Sequence, residues 1–213
     1  MTKVKICGIT ELDDARRAAS LGAWALGMIF WPGSPRRCEP EAAEEIGAAL
    51  RRQAELAGVF VNATLDQVAD AADRFHLSLL QLHGDEGPAY CREAARRTGC
   101  RVIKAATVRN AASIRALEPF HTDYHLLDAH VPDVPGGTGR TFEWELARTH
   151  GGAPLLLSGG LTPSNVAEAI AIAEPFAVDV ASGTEAAPGR KDGRKLEEFF
   201  RAVGAAAAER APA

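Results

Sequence analysis

Lys3-Val-Lys-Ile-Cys-Gly-Ile-Thr10 is the stretch on which the fold turns. Val4 and Ile6 alternate with Lys5 and Cys7, the period of a short β-strand, and Gly8 follows where the chain has to turn. In a closed barrel, Val4 and Ile6 would pack beneath helices while Lys5 and Cys7 face the axis, with Cys7 at the carboxyl end, where barrel chemistry is built. A cysteine in a strand is ordinarily a small buried hydrophobe, so its role depends on what the rest of the chain brings to it. The alternative architecture is an open doubly wound sheet. Its first strand should run into a glycine-rich dinucleotide fingerprint, and Cys7-Gly8-Ile9-Thr10 supplies none.

Outward from this strand the same unit repeats. Residues 11–21 carry helix formers with Leu12, Ala15 and Ala19 on one side, and Thr10 stands where an N-cap is wanted. Residues 23–30 form a near-continuous apolar run, as in a parallel strand covered on both faces, and Pro40 opens a helix to about residue 52. Strand and helix then alternate at 57–61 and 65–75, 78–82 and 88–98, and 101–105 and 111–118. They continue at 124–128 with a short helix at 142–149, 154–157 with a helix from Pro163 to 173, and 176–181 with 192–203. Eight units of about 27 residues predict one (β/α)8 TIM barrel over residues 1–205, with the Ala-rich residues 206–213 as a frayed tail.

Composition agrees with one globular unit. The 213 residues are 46% hydrophobic, and no Pro/Gly/Ser-rich linker divides them. A net charge of −4 with interspersed Lys and Arg argues against nucleic acid as a partner, whereas a phosphorylated metabolite needs only a local anion site. No apolar run approaches the roughly 18 residues of a membrane span, and MTKVKICGIT has no apolar leader, so a cytoplasmic protein without membrane contact is expected. Cys7, Cys38, Cys91 and Cys100 form no CxxC pair and have no His at metal-ligand spacing, and the six histidines include no HExxH, so neither a zinc site nor a secreted disulfide framework is favoured. No obligate protein partner is implied.

The residues falling at strand ends are polar. Ser158-Gly159-Gly160 lies after the seventh strand, before Thr162 and Pro163 mark a helix start, and Ser182-Gly183 lies after the eighth. Those two loops are where barrels commonly hold phosphate, through backbone N–H groups free of Cβ and a helix N-terminus. Gly136-Gly-Thr-Gly-Arg-Thr141 is no P-loop, because Val134 stands where the first glycine belongs and Arg140 replaces the lysine. With Gly137 and Gly139 it is suited instead to covering a bound substrate. Asp128 ends the apolar Leu126-Leu127 strand; set against Cys7 across the barrel, it suggests a general acid facing a general base. Arg36, beside the mouth, suits a substrate carboxylate. Gln81 and His83 face inward near the top of the fourth strand, where a hydrogen-bonded structural pair is as natural as a catalytic one. Lys5 and Asp179 fall on neighbouring strands of a closed barrel and should pair, since an isolated charge there costs several kcal/mol. The Lys5 cation one layer below Cys7 favours the thiolate.

Taken in order, Lys5-Ile-Cys-Gly-Ile-Thr10, Ser34-Pro-Arg36, Gly58-Val-Phe-Val-Asn62, Gln81-Leu-His-Gly84, Leu127-Asp128, Gly136-Gly-Thr-Gly139, Leu157-Ser-Gly-Gly-Leu161, Asp179-Val-Ala-Ser-Gly183 and Pro188-Gly-Arg-Lys-Asp192 resemble the phosphoribosylanthranilate isomerases. The likeness covers nearly every βα loop in the same order. It implies an Amadori rearrangement without cofactor or metal. N-(5-phospho-β-D-ribosyl)anthranilate becomes 1-(2-carboxyphenylamino)-1-deoxy-D-ribulose 5-phosphate, the third step specific to tryptophan synthesis. On matching positions it implies Cys7 as base, Asp128 as acid and Arg36 as the ligand of the anthranilate carboxylate. The sequence departs from the usual pattern at Arg37-Cys38 and at Ala181. A catalytically silent phosphosugar-binding barrel would share the loops after strands seven and eight, so turnover separates the two.

Overall fold

The computed structural model describes residues 1–129 and 144–209. Eight parallel strands close into a barrel in chain order: β1 (Lys3–Cys7), β2 (Ala25–Ile29), β3 (Glu55–Phe60), β4 (Leu79–Leu82), β5 (Arg101–Val108), β6 (Tyr124–Ala129), β7 (Leu155–Leu157) and β8 (Ala177–Val180). Around them run α1 (Leu12–Ser20), α2 (Pro40–Leu50), α3 (Leu65–Arg74), α4 (Pro88–Thr98), α5 (Ala111–Arg115), α6 (Val166–Ala173) and α7 (Gly193–Glu209). A 3-10 segment, Trp144–Thr149, stands in place of a helix after β6. Closure comes from β1, which pairs with β2 on one edge and β8 on the other, setting Lys5 opposite both Ala25 and Asp179.

Period-two alternation sorts the strands into two cores. Ala25, Ala57, Leu79, Ile103, Leu126 and Leu156 fill the barrel, whereas Val4, Ile6, Leu26, Leu80, Val102 and Val178 pack outward beneath the helices. Trp24, Tyr124 and Phe176 floor the barrel with ring centroids 5.3–5.5 Å apart, and the Lys3 ammonium lies over Trp24 and Phe176. Small residues on β2 and β3 leave room for longer side chains from β1 and β4.

Several boundaries follow local chemistry. Pro88 opens α4 and Gly99, at φ 70°, closes it in the left-handed conformation, so that helix ends as the residues suggest. Thr64 and Gln67 form a reciprocal capping box at α3. Thr10 does not cap α1; its hydroxyl donates to the Gly189 carbonyl at 2.5 Å, and Glu11 occupies the N-cap. Helix α6 starts three residues later than Pro163 suggests, because Asn165 ties the preceding turn by accepting from Thr162 N–H and donating to the Gly160 carbonyl. Helix α7 runs on to Glu209 rather than ending near residue 203, and residues 210–213 lie outside the described residues. Unexpected is a small hairpin after β8, β9 (Glu185–Ala187) with β10 (Arg190–Lys191), turned at Gly189 with φ 80°.

On the outer face of β6, His125 is buried and its Nε2–H donates to the Phe120 carbonyl at 2.9 Å. Its Nδ1 is therefore the acceptor for His150 Nε2–H, also at 2.9 Å. Burial lowers the titration of both rings, with His121 adding to the effect on His125 and His125 to that on His150. The folded chain thus keeps both neutral where the unfolded chain takes up protons. Stability should fall as pH drops below about 6.5, the ordinary histidine value, before carboxylates titrate. Urea midpoints at about pH 7 and pH 5 check this. The double variant His125→Asn/His150→Asn should lose less over that interval than the parent.

Candidate active site

The carboxyl end of β1 presents Cys7 toward the axis, with Lys5 one layer beneath it. Lys5 is fully buried and its Nζ donates to Asp179 Oδ1 at 2.8 Å, the pairing expected from the sequence. Ser158 Oγ lies 3.4 Å from the other Asp179 oxygen, so the end of β7 joins the same layer. Burial opposes the Lys5 ammonium, and Asp179 followed by Cys7 more than compensates, so Lys5 titrates above its ordinary value and stays charged. For Cys7 the balance differs from expectation. Burial is the strongest influence and raises the thiol's titration; Lys5 pulls it down, Asp179 raises it and Lys191 lowers it. The thiolate is favoured by Lys5, as expected, but desolvation outweighs that attraction in the closed strand end.

Space for this layer comes from Gly27, paired with Cys7 on β2. A Cβ there would lie 2.9 Å from Cys7 Sγ and 3.0 Å from Lys5 Nζ. A glycine inside an apolar strand signals such a close approach. Gly27→Ala should displace the thiol and lower kcat by about 10²-fold with little change in KM. Steady-state kinetics checks this, with circular dichroism to confirm that the barrel is intact.

Across the mouth, Gln81, His83 and Asp128 form a line. Gln81 Nε2 donates to His83 Nδ1 at 3.1 Å, which leaves His83 Nε2 facing Asp128 Oδ2 at 3.5 Å. The hydrogen-bonded pair expected as the structural reading of Gln81 and His83 is present, and it is aimed at the Asp128 carboxyl. Gln81 is buried, and its Oε1 has no partner among the described residues. The loop carrying His83 is held from outside. Glu86, buried, accepts from Asn62 N–H at 2.7 Å and Gly84 N–H at 2.9 Å and pairs with the Lys104 ammonium at 3.0 Å. Asn62, at φ 52°, fits against Gly84 so closely that a Cβ on Gly84 would lie 2.4 Å from its Oδ1.

Arg36 rather than Arg37 turns to the mouth. The Arg36 stem crosses Gly8, whose φ of 73° and missing Cβ let it pass, and its guanidinium is gripped by Glu185. Arg37 is 43% exposed and faces Glu39 on the outside at 3.8 Å. At the loops after β7 and β8, Gly159 and Gly160 take positive φ, 91° and 64°. Gly183 fits so tightly that a Cβ would lie 1.9 Å from the Leu161 carbonyl oxygen, which brings the two glycine loops into contact. Ser182 and Gly160 are exposed there. Gly137 and Gly139 lie outside the described residues. All four cysteines are free, and no group of three or more His, Cys, Asp and Glu among the described residues is placed to hold a metal. Glu185 and Lys191, which complete the mouth, were missed because their hairpin carries no strand pattern.

A closed parallel barrel with its ionisable groups gathered at the carboxyl ends of the strands is a (β/α)8-barrel enzyme, the class in which chemistry sits on the βα loops. Within that class, residues 4–202 match the family described as N-(5'phosphoribosyl)anthranilate (PRA) isomerase, and the chain belongs to it. The N-(5'-phosphoribosyl)anthranilate isomerase of Citrifermentans bemidjiense is 50% identical over 201 residues, covering 94% of this chain and 96% of that one. The crystal structure of phosphoribosyl anthranilate isomerase from Thermotoga maritima superposes with a TM-score of 0.90 at 40% identity, covering 96% of this chain and all of that one. A further structure of such an isomerase, 38% identical with a TM-score of 0.85, covers 96% of this chain and all of that one. It holds reduced 1-(o-carboxyphenylamino)-1-deoxyribulose 5-phosphate.

Proposed function

We propose that Cys7 and Asp128 are the base and acid with which this chain performs its family's reaction, the isomerisation of N-(5'-phosphoribosyl)anthranilate in tryptophan biosynthesis. The observation that carries the assignment is the inward placement of a thiol at the end of β1 and a carboxyl at the end of β6, each with polar groups behind it. Asp128 gives a proton to the ribose ring oxygen as the C1–O bond breaks, leaving an iminium between C1 and the anilino nitrogen. That cation acidifies the C2 proton, which the Cys7 thiolate removes to give the enolamine; proton return to C1 and loss of the C2 hydroxyl proton complete the ketone. The iminium forms beside a thiol whose titration burial raises; its charge favours the thiolate, the thiol's own proton leaving to solvent before the C2 proton is taken.

In this reading Arg36 takes the anthranilate carboxylate. Gly159, Gly160, Ser182 and Gly183 take the phosphate, and Gly137 and Gly139 are assigned to the substrate. His83 steadies Asp128, and the unpartnered Gln81 Oε1 accepts from a substrate hydroxyl. The ligand carried by the 38% identical barrel, a carboxyphenylamino sugar phosphate, has the groups these residues would meet. No protein or nucleic acid partner enters the chemistry, and the work belongs in the cytoplasm; no helix among the described residues is long and apolar enough to cross a membrane. Turnover of freshly generated phosphoribosylanthranilate tests the assignment. A protein that binds the reduced product analogue but turns over nothing would be a silent phosphosugar barrel instead.

A further inference from the structure

The β9–β10 hairpin buries charge beside the site. Glu185 has 4% of its side chain exposed, and its carboxylate accepts from Arg36 Nε at 2.8 and 2.9 Å. It also lies 2.8 Å from Arg36 Nη2 and 3.2 Å from Lys191 Nζ, and accepts from Gly189 N–H at 3.4 Å. Lys191 is fully buried; its ammonium donates to the carbonyl of Cys7 at 2.6 Å and that of Ala181 at 3.1 Å, the residue ending β1 and the one following β8. Each buried ion carries a desolvation penalty, which a hairpin serving only as cover would avoid by using apolar residues. We propose that this hairpin is a positioning element of the site. Glu185 sets the direction of the Arg36 guanidinium, and Lys191 keeps a positive charge against the strand end that carries Cys7. The proposal rests on the reading of Cys7 as base and Arg36 as carboxylate ligand.

Geometry supports both halves. Glu185 occupies the Nε and Nη2 edge of Arg36, so the guanidinium is held in one plane with Nη1 left to a second carboxylate. The charged groups around Cys7 are Lys5 beneath it, Asp179 on β8, Lys191 on β10, and behind these Glu185 on β9 and Arg36 after β2. Three cations stand against two carboxylates, leaving one positive charge that a thiolate would neutralise. Burial is the strongest influence on Lys191 and lowers its titration, with Glu185 and then Cys7 acting against it; Lys191 in turn pulls the Cys7 titration down.

Lys191→Met and Lys191→Arg test the first half. The readout is the pH dependence of Cys7 thiolate absorbance, taken as the difference between each variant and the same variant carrying Cys7→Ser, which requires no turnover. Lys191→Met should move the Cys7 titration up by about one pH unit and shift the pH profile of kcat/KM with it; Lys191→Arg should restore both. An unmoved titration in folded Lys191→Met overturns this part. Glu185→Gln keeps the shape of the side chain and tests the second half even if Lys191→Met does not fold. It should raise KM about tenfold while kcat falls far less. A fall in kcat at constant KM overturns that part. A titration that moves as expected in a protein whose Cys7→Ser variant still turns over refutes Cys7 as base and leaves the electrostatics of the hairpin standing.

Discussion

Cys7→Ser and Asp128→Asn are each expected to lower kcat by about 10² to 10⁴-fold, with KM within a few fold of the parent. Serine keeps the size of the thiol, but its hydroxyl does not ionise near neutral pH, and burial of the kind that already raises the Cys7 titration makes ionisation harder still. Asparagine keeps the shape of Asp128 and its approach to His83, yet has no proton to give to the ring oxygen. Because neither residue is assigned to binding, the losses belong in the chemical step. The two variants act on successive proton transfers, so the double variant should fall well short of the product of the single effects, limited by whatever slow background path remains. Pre-steady-state rates on freshly generated substrate check both, and parent-like turnover in either variant would remove that residue from its role.

The second large effect is on stability. Lys5→Met should cost about 3–5 kcal/mol, because among the described residues it leaves the buried Asp179 carboxylate only the long 3.4 Å contact to Ser158 Oγ. For a chain of this size that is a fall in Tm on the order of 10 °C. Adding Asp179→Leu should recover most of the loss, since an apolar pair fills the space without an unpaired charge. Thermal unfolding of the parent, Lys5→Met and the double variant measures the coupling. A double variant no more stable than Lys5→Met would mean that the pair is not the source of the loss. Activity in the double variant need not recover with stability, because one of the two cations that lower the Cys7 titration is gone.

The inward and outward faces of β1 followed from alternation alone, and with chain-order closure that placed Lys5 opposite Asp179. Register in a parallel barrel is set by burial on both faces, so a correct strand reading carries its neighbours with it. Gly27 was legible in principle as a glycine in an apolar strand, though only the paired register shows that it faces Cys7. Glu185 and Lys191 were not, because Glu-Ala-Ala-Pro-Gly-Arg-Lys has neither the length nor the alternation of a strand. Nor could the titration of Cys7 be read from Lys5 alone. Its direction is a contest among burial, two cations and a carboxylate, decided by distances no spacing encodes.

The proton-transfer assignment at Cys7 and Asp128 is tested most directly by single-turnover conversion of phosphoribosylanthranilate carrying deuterium at ribose C2. If Cys7 removes that proton, Cys7→Ser makes the transfer rate-limiting, and deuterium slows the variant further. If Asp128 opens the ring beforehand, Asp128→Asn is limited by ring opening and shows no isotope effect. The reverse pattern, an isotope effect in Asp128→Asn and none in Cys7→Ser, would contradict the assignment of base and acid.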